Sequence, residues 1–348
     1  MRHAQCPMPI INEEISIEND TLNTNLISEA LADKSRAEAF GITPDNAEET
    51  INKRWNLLKS IYPAFKELCQ TNLQMSPDAI LPTLWDLWLP LAIKIASRHQ
   101  QLQRPFIQGI LGGQGTGKTT TCKVLKLILS HLEYRVLSLS IDDLYKTYQA
   151  RLILQQQDSR LIWRGPPGTH DIDLGLNVLD NILQRQTTIT VPRFDKSLHS
   201  GNGDRTSPET VEKIDIVLFE GWFVGIIPID SAAFNTPPLP IITEADKQFA
   251  KDMNDKLHDY LSLWQRLDSL IVLHPKDYRL SLEWRKQAEH QMKASGKTGM
   301  TDLQIEEFVN YFWKALHPEL FIKPLIKSPS VDLVIEINPN HSFGKVFQ

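Results

Sequence analysis

The chain has 348 residues, with 37 Lys and Arg against 42 Asp and Glu, for a formal net charge of -5. This balance excludes the clustered basic face of a nucleic-acid-binding domain and favours a small-molecule partner. The three cysteines, Cys6, Cys69 and Cys122, are too few and too widely spaced for a disulfide framework or a zinc site, and they fit a reducing compartment.

The opening residues carry Glu13, Glu14, Glu18 and Asp20. They lack both the apolar run of a secretory signal and the acid-poor composition of a transit peptide. No uninterrupted apolar stretch approaches the roughly 18 residues of a membrane span. A cytoplasmic protein without a membrane partner is expected. Three helical segments follow, at 26–41, 47–70 and 81–103. The second places Ile51, Trp55, Leu58 and Ile61 on one face, the spacing of a buried helical stripe. Residues 1–103 are therefore read as a helical lobe and 104–348 as a second domain.

From Arg104 the pattern changes to short apolar runs separated by amphipathic helices. The runs are PFIQGIL, RVLSLSI, KIDIVLF, SLIVLHP and VDLVIEI. Such runs suit strands buried on both faces, so the expected fold is α/β with five parallel strands flanked by helices. The proline-rich stretch 230–246 is expected to be a surface loop.

The first run leads into GGQGTGKT, Gly112 to Thr119, which fits GxxxxGK[ST] between a strand and an amphipathic helix. Gly112, Gly113, Gln114, Gly115, Thr116, Gly117, Lys118, Thr119 and Thr120 are expected to hold a nucleoside triphosphate. Backbone N–H groups would wrap the phosphates, Lys118 would reach the β- and γ-phosphates, and the Thr119 hydroxyl would ligate Mg²⁺. The second run ends at Asp142 and Asp143, placed to accept a proton from a hydroxyl or to help hold Mg²⁺. The third ends at Glu220, where a carboxylate orients the water shell of the metal.

Two intervening stretches, RGPPGTHD (164–171) and VPRFDKSLHSGNGDR (191–205), combine rigid turns with cations, His and Asp. They read as loops walling a small, polyoxygenated, acidic acceptor, with little aromatic surface for stacking a base. After the fourth run a basic helix offers Arg279, Arg285 and Lys286 as lid cations over the transferring phosphoryl group.

These motifs, with SIDDLY, LFEGW and GMTDLQIEEFVNYFW in the same order, resemble the D-glycerate 3-kinase family of plants, cyanobacteria and fungi. The chain is more loosely similar to uridine and pantothenate kinases. The likeness runs from about Arg104 to the end and implies a P-loop NTPase fold. It implies that Asp142 is the catalytic base, and that Asp143, Tyr145, His170, Asp171, Asp195, Lys196 and Arg205 line the acceptor pocket. Glu220 matches the acid of the EG pair. The lid departs from the DxRLxRR pattern of uridine kinases, with Leu282 and Glu283 where two arginines would stand. Arg279, Arg285 or Lys118 must then meet the transition-state charge.

The activity so implied is ATP- and Mg²⁺-dependent phosphorylation of the 3-hydroxyl of D-glycerate by a monomer, which in a photorespiring organism returns carbon to the reductive cycle. The alternatives are a kinase for a uridine- or pantothenate-like alcohol and a nucleotide-controlled switch, which needs the cradle but not a base at Asp142.

Overall fold

The computed structural model describes residues 24–348 except 295, 297 and 298. Cys6 and the acidic opening segment lie outside the described residues. The apolar runs become β1 (Phe106–Gly112), β2 (Val136–Ser140), β5 (Ile216–Gly221), β6 (Ser269–Pro275) and β7 (Leu333–Ile337). All five are parallel, in the order β2-β5-β1-β6-β7. β1 is buried at every position, as helices on both faces of a parallel sheet require.

The expected five-stranded sheet has a sixth member, since β8 (Phe343–Phe347) turns back antiparallel on β7. A second difference concerns the stretch read as an acceptor loop. Much of it is a separate antiparallel hairpin, β3 (Ile189–Asp195) with β4 (Asp204–Val211). Pro192 falls at the register shift between Val191 and Arg193, where the ladder needs no donor.

The lobe is helical as expected, with helices Thr24–Ala32, Lys34–Ala39 and Ala47–Leu68 and a continuous helical run from Pro77 to Leu102. That last run has the length and composition to cross a membrane, which a count of uninterrupted apolar residues passes over. Its apolar side chains are buried within the protein: Leu84, Leu87, Trp88, Leu89 and Leu91 are each at most 2 % exposed. Helices Ala47–Leu68 and Leu89–Leu102 pack on helix Lys118–His131, which follows β1. One apolar cluster accordingly runs from Ile51 and Phe65 through Leu125 and Ile128 to Phe106 and Leu333. The 230–246 stretch is mostly irregular, with Leu239 and Ile242 exposed, yet Phe234 anchors it in the core beneath the sheet.

Candidate active site

Three neighbouring strands deliver their carboxyl ends to one place. Glu220 on β5 is in register with Ile110 on β1 and Ser140 on β2, so it lies between the glycine-rich turn after β1 and the aspartates after β2. This is where open α/β sheets gather ligands.

Gly117 caps helix Lys118–His131 in the left-handed region, at φ 83°. The helix N-terminus thus opens into the turn with its free N–H groups and partial positive charge. Thr116 closes the turn by donating its hydroxyl to Gly113 O at 2.8 Å. Lys118 Nζ donates to Gly113 O at 2.9 Å. Burial lowers the pKa of Lys118, opposed by Glu220 and Asp142. Burial raises that of Glu220, opposed chiefly by Lys118. The Thr119 hydroxyl lies 3.4 Å from Glu220 Oε1. A hydroxyl and a carboxylate are hard oxygen donors, and Mg²⁺ bound with a nucleotide asks the protein for one or two of these, so Thr119 and Glu220 fit the ion.

Gly115 fixes the relation of cradle and lid. Its φ is 78°, and a Cβ there would stand 2.7 Å from Trp284 Cβ on helix Leu280–Ala294. His341 Nδ1 meets Gly115 O at 3.1 Å, and Trp284 Nε1 donates to Pro339 O at 3.0 Å. The foot of the lid and the β7–β8 turn therefore both rest on the phosphate-binding turn.

The two aspartates separate in role. Asp143 Oδ2 accepts from Ser140 N at 3.0 Å and from Arg193 Nη1 at 2.9 Å, closing the short helix Ile141–Leu144 as a capping box. It holds the turn and is not among the residues lining the cavity. Asp142 does line the cavity, with Lys196 Nζ at 2.6 Å from Oδ2. Burial pushes the Asp142 carboxyl upward, but Lys196, the Tyr145 hydroxyl and His170 outweigh it and leave the pKa lowered.

Other expected pocket residues stand behind the wall and brace it. Arg205 Nη2 pairs with Asp171 Oδ2 at 2.8 Å, and its Nε donates to Tyr145 O at 2.9 Å. Asp171 also caps helix Ile172–Leu183 through Leu174 N. Asp195 accepts from the backbone and hydroxyl of Ser197. His170 is 1 % exposed and stacks on Tyr145 at 4.6 Å, with Nδ1 2.7 Å from the Tyr260 hydroxyl. Burial brings its pKa down to about 3, so the ring is neutral. Arg279 lies outside the cavity, 66 % exposed and paired with Asp277. Lys286 pairs with Glu306. Of the three candidate lid cations, Arg285, held by Glu289 at 3.0 Å, is the one that lines the cavity.

The cavity itself, about 730 Å³, runs from Gly113, Lys118 and Thr119 past Asp142, Tyr145 and Glu220 to a second wall that the sequence reading did not name. Trp163, Trp222, Phe308, Phe312 and Trp313, all outside the 191–205 stretch expected to offer little aromatic surface, supply it there. Arg164 stands among them and donates from Nη1 to Gly201 O at 2.6 Å. That bond seats the 196–203 turn of the β3–β4 hairpin over the cavity, where Lys196, Ser200, Gly201 and Asn202 face it. Arg164 heads the RGPPGTHD stretch, so its position beside two rigid prolines was the available signal. Phe308 and Phe312 are four apart on helix Asp302–Ala315, a spacing no different from that of an ordinary core stripe.

A phosphate-binding turn, a carboxylate at each of two adjacent strand ends and a cavity leading away from them define a P-loop phosphotransferase. No family model matches the chain. It is 34 % identical over 218 residues to the uncharacterized kinase mug58 of Schizosaccharomyces pombe, covering 60 % of this chain and 79 % of that one. It is 28 % identical over 323 residues to the chloroplastic D-glycerate 3-kinase of Arabidopsis thaliana, covering 86 % and 68 %. The solved D-glycerate 3-kinase of Cryptococcus neoformans superposes with a TM-score of 0.65 at 28 % identity, over 73 % of this chain and 95 % of that one. The chain belongs to this family of P-loop kinases.

Proposed function

We propose that the protein transfers the γ-phosphoryl group of ATP to the 3-hydroxyl of D-glycerate, giving 3-phosphoglycerate and ADP. The observation that carries this reading is the Asp142–Lys196 pair facing the cavity beside the phosphate-binding turn. It sets a base for the hydroxyl next to a cation for the carboxylate of a short hydroxy acid.

Lys118 and the turn hold the triphosphate, and Thr119 and Glu220 would hold Mg²⁺, whose charge helps stabilise the transferring group. In the free enzyme Lys196 stabilises ionised Asp142. An incoming substrate carboxylate competes for Lys196, with Arg164 close by as a second cation. Asp142 then loses the largest of the influences that hold its pKa down, and its burial favours proton uptake from the attacking hydroxyl. Arg285 reaches the phosphoryl group from the lid side. Within the expected lobe 1–103, the described residues 24–103 act as a support on the kinase domain 104–348, and the enzyme works as a cytoplasmic monomer.

The aromatic wall favours one second reading, a larger acceptor such as a nucleoside. ADP release is therefore measured with Mg²⁺-ATP and D-glycerate, L-glycerate, uridine, pantothenate or no acceptor, with the product's phosphate position read by NMR. Release that depends on D-glycerate with phosphate on the 3-oxygen supports the proposal. Equal or greater release with uridine replaces it with the second reading, and acceptor-independent hydrolysis removes both. Gel filtration and cell fractionation test the monomer and its location.

A further inference from the structure

The helical lobe contains a cavity of about 410 Å³ that is separate from the kinase site, formed where helices Lys34–Ala39, Ala47–Leu68 and Leu89–Leu102 meet. Lys53, Arg54, Lys94 and Arg98 line it, with Glu38 and the chain's last residue, Gln348, beside them. The volume is in the range of small-molecule sites.

Three of these cations have partners. Lys53 pairs with Glu49 at 2.5 Å, Lys94 donates to Ala39 O at 2.7 Å, and Arg98 lies 3.6 Å from Asp332. Arg54 differs from them. The residue is 3 % exposed, and its Nε is buried without an acceptor among the described residues. Its guanidinium lies over the Trp85 ring at 5.2 Å, and the nearby Asp86 carboxylate is engaged by Arg36 at 3.4 Å. Burial lowers the Arg54 pKa to about 10, which leaves it charged at neutral pH. Asp86 supplies part of its counter-charge, but a buried N–H without an acceptor is costly. A planar guanidinium flanked by lysines matches the oxygens of a phosphate group.

We propose that this cavity is a binding site for a small phosphate-bearing anion, with Arg54 as its central ligand and Lys94 and Arg98 as flanking cations. The assignment is independent of the acceptor chosen at the kinase site.

The test is calorimetric titration of inorganic phosphate, and separately of glycerol 3-phosphate, into the full chain at fixed ionic strength. Saturating ADP and Mg²⁺ occupy the P-loop throughout. The expected result is saturable binding of at least one of the two, with the stronger probe telling free phosphate from a phosphate ester. Arg54→Gln should weaken that binding at least roughly tenfold, as for truncation of one partner of a buried charge contact. Binding by neither probe, or an affinity that Arg54→Gln leaves unchanged, overturns the assignment. If circular dichroism shows that Arg54→Gln does not fold, Lys94→Gln decides in its place: weaker binding supports the site and equal binding refutes it.

Discussion

Replacing Lys196 by methionine isolates the coupling between substrate recognition and the base. Lys196 Nζ lies 2.6 Å from Asp142 Oδ2, and the lysine side chain is 61 % exposed, so water-like screening is the appropriate limit. At that distance and screening the Coulomb attraction is about 1.6 kcal/mol, and its removal raises the proton affinity of Asp142. The sign follows from the causes: Lys196 holds the carboxyl down, and its loss leaves burial to push it up. The acid limb of the kcat/KM profile, which reports the free enzyme, should move to higher pH in Lys196→Met. The limb of kcat should move less, because bound substrate already occupies Lys196, while KM for D-glycerate rises. Steady-state kinetics across pH 5 to 8 (roughly the range around the ordinary carboxylate and His values) checks this. An unmoved kcat/KM limb in a folded variant refutes control of Asp142 by Lys196.

Asp142→Asn should lower kcat by about 10²-fold or more with ATP affinity nearly kept, the scale of general-base loss, whereas Asp143→Asn should lower the unfolding midpoint instead. Arg285→Ala should lower kcat, while Arg279→Ala should leave it within about twofold, since an exposed pair like Arg279–Asp277 contributes little; the reverse order would put the transferring charge at the other arginine. His170 is neutral in the fold and ordinary when unfolded, so stability is complete above the unfolded pKa and declines as pH falls toward about 3. Urea unfolding at pH 7 and pH 5 should show a loss of up to about 1.4 kcal/mol per pH unit below about 6.5 from this group, and His170→Gln should reduce that slope.

The cradle and the parallel strands were legible because each has a local signature, glycines at fixed spacing in one case and unbroken apolar runs in the other. The β3–β4 hairpin had none. β4 is largely exposed and β3 contains Pro192, so neither shows the alternation that marks a half-buried strand. Asp142 and Asp143 looked equivalent as neighbours at one strand end, yet Ser140 and Asp143 have the spacing of a capping box, which distinguishes them without a structure. Asp171 likewise precedes an apolar helical run, the place of an N-cap. The aromatic wall was hidden for a different reason: periodicity tells which residues share a face, and only tertiary packing tells whether that face meets a core or a cavity.

The apolar cluster that joins the lobe to helix Lys118–His131 bears on how the protein can be divided. A chain begun at residue 104 would present the lobe-facing side of that helix to water, with side chains such as Leu125 and Ile128 that are now fully buried. The first turn of the same helix carries Lys118 and Thr119. A loosened helix would therefore blunt the cradle before any residue of the active site had been changed.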